Sequence, residues 1–122
     1  MRFLRQLTTL KPMQRLRVKF QPEAVAELRA IFEYVREVSG SVSIAQAYTK
    51  RIKARCDRIG DIPLGGRPRN DLAKGLRTVA FERSVIIAYR VTAECVVISN
   101  IFYGWRDYEA LFSAHTPKET DD

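Results

Sequence analysis

Apolar and polar positions alternate strictly over Arg15-Leu-Arg-Val-Lys-Phe20: Leu16, Val18 and Phe20 turn one way, Arg15, Arg17 and Lys19 the other. A strand with one buried face has this period of two. The period then lengthens. Val25, Leu28, Ile31, Phe32, Val35 and Val38 recur at spacings of three and four, which predicts a helix with one apolar stripe, opened by Pro22 and closed by Ser39-Gly40. Glu23 and Glu27 lie near its start, where the helix dipole favours negative charge. A second stripe, Ala45, Tyr48, Ile52, Cys56 and Ile59, predicts another helix, with Ser43 and Gln46 as its capping box and Gly60 as its end. Two amphipathic helices with so short a join form an antiparallel hairpin.

Asp61 to Lys74 carries Pro63, Gly65, Gly66 and Pro68 and reads as a loop. Beyond it, Gly75–Phe81, Val85–Val91 and Cys95–Asp107 are rich in β-branched and aromatic residues and are separated by Glu82-Arg83-Ser84 and Thr92-Ala93-Glu94. That is the pattern of a three-stranded antiparallel meander. Trp105 to Phe112 has the periodicity of a short helix or turn, with Tyr108, Leu111 and Phe112 placed to dock back. The predicted order is β-α-α-β-β-β. The fold class is α+β, a helical hairpin on one face of a mainly antiparallel sheet of about four strands. Met13 immediately precedes the first strand, so residues 1–12 read as an N-terminal extension, 13–114 as the compact domain and 115–122 as a mobile polar tail.

Composition narrows the classes. A chain of 122 residues holds one domain, and 46% apolar residues suffice for a core. Formal charge is +7, but Thr116–Asp122 carries −2, so the remainder carries +9. A surface this basic suits an acidic partner, nucleic acid or an acidic protein segment. Cys56 falls on the second helical stripe and Cys95 opens a strand, as expected of small buried hydrophobes in a reducing cytoplasm. With His115 as the sole histidine, a Cys/His metal site is not expected. No apolar run approaches membrane-spanning length, and no secretory signal stands out at the N-terminus.

Six segments, in order, resemble the RelE/ParE superfamily of toxins from type II toxin–antitoxin systems, and within it the ParE, or plasmid-stabilisation, branch. They are Pro22-Glu-Ala-Val-Ala-Glu-Leu28, Ile31-Phe-Glu-Tyr-Val35, Ile62-Pro-Leu-Gly-Gly-Arg-Pro-Arg69, Gly75-Leu-Arg77, Ile87-Ala-Tyr-Arg-Val91 and Phe102-Tyr-Gly-Trp-Arg-Asp107. The loop segment holds one glycine more than the branch's pattern. The resemblance spans about Arg15 to Phe112. It implies a small cytoplasmic toxin, free of cofactors, neutralised by a ParD-like antitoxin whose acidic, partly disordered segment folds on contact. That segment is expected to run along the helical hairpin and across the sheet. The antitoxin, not the toxin, would bind DNA.

The superfamily holds two activities. RelE-like members cut mRNA on the ribosome with several basic residues and a terminal tyrosine; ParE-like members inhibit DNA gyrase by binding. Arg77 and Arg106 stand where the nuclease branch has basic residues, but its other two basic positions fall on Val79 and Ile86, and its terminal tyrosine on Phe112. Phosphodiester cleavage needs a proton-transfer group beside several cations, so the gyrase-binding assignment is preferred and no catalytic residue is expected. The nuclease is the rival, with Arg77, Arg106 and Tyr108 as its residues and Tyr103 as another possible hydroxyl. A degenerate module that only binds antitoxin is the third possibility. Candidate target-binding residues are Arg77, Arg90, Tyr103, Trp105 and Arg106, because arginine and aromatic side chains dominate binding hot spots. Candidate antitoxin-binding residues are Leu28, Phe32, Arg51, Arg55, Arg67 and Arg69. Each arginine also has a plainer reading, as a solvated charge or one half of a surface ion pair.

Overall fold

A computed structural model of the protein describes residues 15–104. The elements are β1 (Arg17–Phe20), α1 (Pro22–Ser39), α2 (Val42–Ile59), a 3-10 turn (Pro63–Gly65), β2 (Arg67–Pro68), β3 (Arg77–Phe81), β4 (Val85–Val91) and β5 (Cys95–Tyr103). They form an α+β fold with one sheet in the order β1-β5-β4-β3-β2. β1 runs parallel to β5, and the other pairs are antiparallel. The meander and the helical hairpin lie where the sequence pattern predicts them. The sheet has five strands, not about four. The added strand, β2, is two residues inside the proline- and glycine-rich loop, too short to show any alternation. The predicted 1–12 extension, Trp105–Phe112 element and 115–122 tail lie outside the described residues.

Pro22 opens α1, and Gly40, in the left-handed region at φ 71°, closes it by donating its N–H to the Arg36 carbonyl at 2.8 Å. The buried line of α1 is narrower than its apolar stripe. Ala24 and Ile31 are buried, Leu28, Phe32 and Val35 half-buried, and Val25 and Val38 exposed. In α2 the cap is Ser41, not the predicted Ser43: the Ser41 hydroxyl accepts the Ile44 N–H at 3.1 Å, and the Ser43 hydroxyl lies 3.2 Å from that of Ser41. Gly60 does end α2, but not by adopting a left-handed conformation; its φ is −63°. A Cβ there would overlap the Leu16 carbonyl oxygen, so glycine is needed for space where the chain of β1 crosses the helix end.

Cross-strand partners share a face. Arg77, Val79 and Phe81 of β3 pair with Tyr89, Ile87 and Val85 of β4, and this row lies on the side of the helices. There Ile31, Ile52, Cys56 and Ile59 pack with Val85, Ile87, Tyr89, Val96, Ile98 and Ile101. Ser99 is an extra residue in β5, between the pairs Tyr89–Ile98 and Ala88–Asn100. The bulge lies past the end of β1, and Glu27 mends the edge: its carboxylate accepts the Ile101 N–H at 2.7 Å. Glu27 therefore does more than complement the helix dipole.

Cys56 sits in this core, and burial pushes its thiol up to about 12. A thiolate is the reactive form, so Cys56 in the native protein is expected to resist iodoacetamide at neutral pH and to be alkylated only after unfolding. Peptide mass spectrometry with and without urea checks this, and native labelling of Cys56 would contradict it. Among the described residues no helix is long and apolar enough to cross a membrane. Nor, among them, does any group of three or more His, Cys, Asp and Glu side chains assemble to hold a metal ion.

Candidate functional site

After α2 the chain turns through Ile62-Pro63-Leu64-Gly65-Gly66, and two side chains of the sheet hold this loop from beneath. The buried Tyr89 hydroxyl donates to the Pro63 carbonyl at 2.8 Å and accepts the Gly66 N–H at 2.9 Å. Arg77, its neighbour across the β3–β4 pairing, donates from Nη1 to the Leu64 and Gly66 carbonyls at 3.0 and 2.8 Å. Burial raises the Tyr89 pKa above its ordinary value, and the Gly66 hydrogen bond only partly offsets that. Gly66 can be nothing larger, because a Cβ would overlap the Tyr89 hydroxyl. The apolar side chains of the loop are left outside, Ile62 at 69% and Leu64 at 67% exposure.

Between this loop and the last turns of α2 lies a cleft of about 380 Å³, lined by Arg55, Arg58, Ile59, Asp61, Ile62, Gly65, Gly66, Val79 and Tyr89. Arg15 reaches Asp61 at 2.8 Å and donates to the Asp57 carbonyl at the same distance. The acid at the cleft mouth is thereby matched, while no ion pair is found for Arg55 or Arg58 among the described residues.

A second concentration of side chains lies at the other end of the sheet. The Tyr103 ring is 5.5 Å from Tyr34 and 6.2 Å from Tyr48, and Tyr48 is 6.2 Å from Phe81. Such spacings suit tilted aromatic packing. Burial raises the Tyr103 pKa. Arg51 lies 5.3 Å above the Tyr48 ring and forks onto Glu82 with two contacts of 3.0 Å. Its hydrogen bond holds the Glu82 pKa down. Glu82 and Arg83 form the β3–β4 turn with φ of 47° and 60°. Two-residue hairpin turns want this left-handed backbone and usually recruit Asn or Gly for it, so the Arg51 fork braces a turn of unfavourable composition.

The residues singled out in the sequence do not form one patch. Arg77 and Arg90 belong to opposite faces of the sheet, because Arg77 pairs with Tyr89 and Arg90 is the next residue along β4. Tyr103 pairs with Val85, four residues from Tyr89 on β4, so it stands roughly 13 Å along the sheet from Arg77 at strand rise. Val79 and Ile86 also take opposite faces, Val79 in the cleft wall. Trp105, Arg106 and Tyr108 lie outside the described residues. Leu28 and Phe32 come together in a shallow groove of about 260 Å³ with Val25, Arg29 and Thr49. Arg55 lines the cleft, and Arg67 is exposed on β2. Arg69 is different: its side chain is 7% exposed and forks onto Asp71 at 2.7 and 2.9 Å. Its charge works inside the fold, lowering the Asp71 pKa through that hydrogen bond, and it is not a surface contact.

Sequence reasoning missed the Tyr89 clamp, the outward pair Ile62 and Leu64, and Arg58. One signal was present: two large apolar residues inside a Pro/Gly loop are out of place unless something holds them there.

A family model described as "ParE toxin of type II toxin-antitoxin system, parDE" matches residues 18–108. Among solved structures, a chain of the "Chromosomal ParDE TA system from P. aeruginosa" is similar at 22% identity with a TM-score of 0.65, over 73% of this chain and 96% of that one. At that identity the likeness shows a shared fold. No curated protein matches the chain.

Proposed function

We propose that this chain, which belongs to the ParE toxin family of type II toxin–antitoxin systems, arrests growth in the cytoplasm by binding DNA gyrase and is neutralised by a cognate antitoxin with an acidic, partly disordered segment. It acts as a binding protein, without a cofactor. The observation that carries this reading is the state of Tyr89 and Arg77. They are the hydroxyl and cation that the sheet sets side by side, and both are committed to the backbone of the Ile62–Gly66 loop. Cleaving a phosphodiester requires a proton carrier within reach of the reacting oxygen. Burial makes Tyr89 a weaker acid than usual. Among the described residues the other hydroxyl weighed for this role, Tyr103, stands roughly 13 Å along the sheet from Arg77, too far to serve the same phosphate; Tyr108 lies outside them.

The test has two arms. Expression of the chain alone should arrest growth, and the purified protein should inhibit gyrase supercoiling or trap cleaved DNA. The same protein should leave ribosome-bound mRNA intact in a toeprint assay. Codon-linked cuts would replace this reading with the mRNA endonuclease. Unimpeded growth would replace it with a module that only binds antitoxin.

A further inference from the structure

The Ile62–Gly66 loop combines features that rarely meet by accident in a connecting segment. Tyr89 and Arg77 bind the Pro63, Leu64 and Gly66 carbonyls and the Gly66 N–H from within, and the Gly65 N–H donates to the Ile62 carbonyl at 3.0 Å. Its large side chains, Ile62 and Leu64, point out into water. Held apolar residues of this kind keep their exposed position, where a slack loop would fold them onto the surface. Beside them the cleft has an apolar floor from Ile59 and Val79. Its wall is cationic, from Arg55 and Arg58, and Asp61, the acid among the described residues that line it, pairs with Arg15. We infer that this cleft is the docking site for an acidic segment of the antitoxin, which sets an apolar side chain against Ile62, Leu64 and the floor and its carboxylates on Arg55 and Arg58.

The chemistry selects a peptide over a nucleic acid. Unspecific nucleic-acid binding uses exposed rings on which bases stack beside the cations. The ring in this cleft, Tyr89, is buried, and the exposed rim is aliphatic. A carboxylate on an arginine fork with an apolar neighbour on the Ile59–Val79 floor matches both parts of the surface at once. The clamp also matters energetically. A disordered segment loses conformational freedom when it docks, and a partner surface that is already ordered adds no second ordering cost.

This inference rests on the toxin–antitoxin reading above. Its test uses the full chain and its cognate antitoxin, titrated calorimetrically at low and physiological salt. Arg55→Glu/Arg58→Glu should raise Kd by about 30-fold or more and flatten its salt dependence, since two charge pairs would become repulsive. Ile62→Ser/Leu64→Ser should raise Kd by roughly 10-fold. Lys50→Glu, the same charge reversal on another side of α2, should stay within about threefold, as rim charges do. All three variants alter exposed or half-buried side chains, so their melting curves should follow the parent's. A Kd for Arg55→Glu/Arg58→Glu within threefold of the parent, in a protein that melts normally, overturns the docking site and leaves the toxin reading intact. A parent protein that binds antitoxin without inhibiting gyrase overturns the gyrase reading and leaves the docking site. Loss of gyrase inhibition by the arginine variant, with antitoxin affinity unchanged, would assign the cleft to the target and overturn the inference.

Discussion

Tyr89→Phe is expected to lower folding stability by roughly 2–4 kcal/mol, far beyond what removal of one oxygen atom from a surface would do. The change leaves the Pro63 carbonyl and the Gly66 N–H facing an apolar ring edge. An unsatisfied buried polar group costs about 1–3 kcal/mol; here the buried Gly66 N–H loses its partner and the part-buried Pro63 carbonyl loses the same one at a smaller cost. Ring and packing are unchanged, so the loss reports the hydroxyl alone. Urea melts of parent and variant measure it, and amide exchange at Gly66 shows where it arises. The variant should also bind antitoxin more weakly, because Ile62 and Leu64 are then held by Arg77 alone. A loss below about 0.5 kcal/mol, typical of a surface change, would mean that the loop keeps its shape without the clamp. The pH dependence gives a second readout. Burial raises the Tyr89 pKa. The contribution is therefore complete below the ordinary tyrosine value near 10 and drains away as pH climbs through the raised one. Tyr89→Phe should remove that part of the alkaline loss.

Ile52→Ala should be the more damaging substitution in the core, at about 2–5 kcal/mol. Ile52 is fully buried halfway along α2, packed with Ile31 of α1 and the β4–β5 side chains. Truncation removes three carbons that both helix and sheet enclose, and neither can collapse without moving the other. Since small domains have about 5–15 kcal/mol in total, a large part of the stability is at stake. The melting temperature should fall by roughly 4–8 °C for each kcal/mol lost. Ile44→Ala on the same helix should cost less than about 0.5 kcal/mol, because Ile44 is exposed. The pair makes the experiment self-controlled. Equal losses at the two positions would show that α2 does not pack with the face described.

The contrast between Ile44 and Ile52 also marks how far the primary sequence could be read. Both are isoleucines on one helix, and the 3.6-residue period separates them cleanly: of the predicted stripe, Ala45, Ile52, Cys56 and Ile59 are buried and Tyr48 is half-buried. On α1 the same reasoning overreached. Val25 and Val38 keep the apolar spacing but lie outside the contact with the sheet, and the smaller Ala24 takes the buried place. Period tells which residues share a side of a helix; it does not tell how wide the neighbouring surface is. The cap moved from Ser43 to Ser41 for a related reason. In a Ser-Val-Ser run the pattern permits either hydroxyl, and backbone geometry selects the one that reaches the Ile44 N–H.

The candidate site was harder to read. Arg55 and Arg67 were legible as basic residues on a helix face and a loop, but Arg69, two positions from Arg67, is buried on Asp71. Charge alone does not reveal which arginine finds a local carboxylate. Arg77 and Arg90 were both named as target-binding candidates, and strand parity with the β3–β4 register sends them to opposite faces.

What the amino-acid order determined by itself was what local repetition carries, two helices, a leading strand and three meander strands in their order, together with the six segments whose resemblance points to the family. Periodicity and end signals act over a few residues, so a short window contains them. What only the tertiary structure decided was the clamp and the cleft. Tyr89 meets Gly66 and Pro63 from 23 and 26 residues away, and Arg77 reaches Leu64 from 13. No short window holds both ends of such a bond. Whether a hydroxyl is free for chemistry or committed to a backbone depends on what the fold places opposite it.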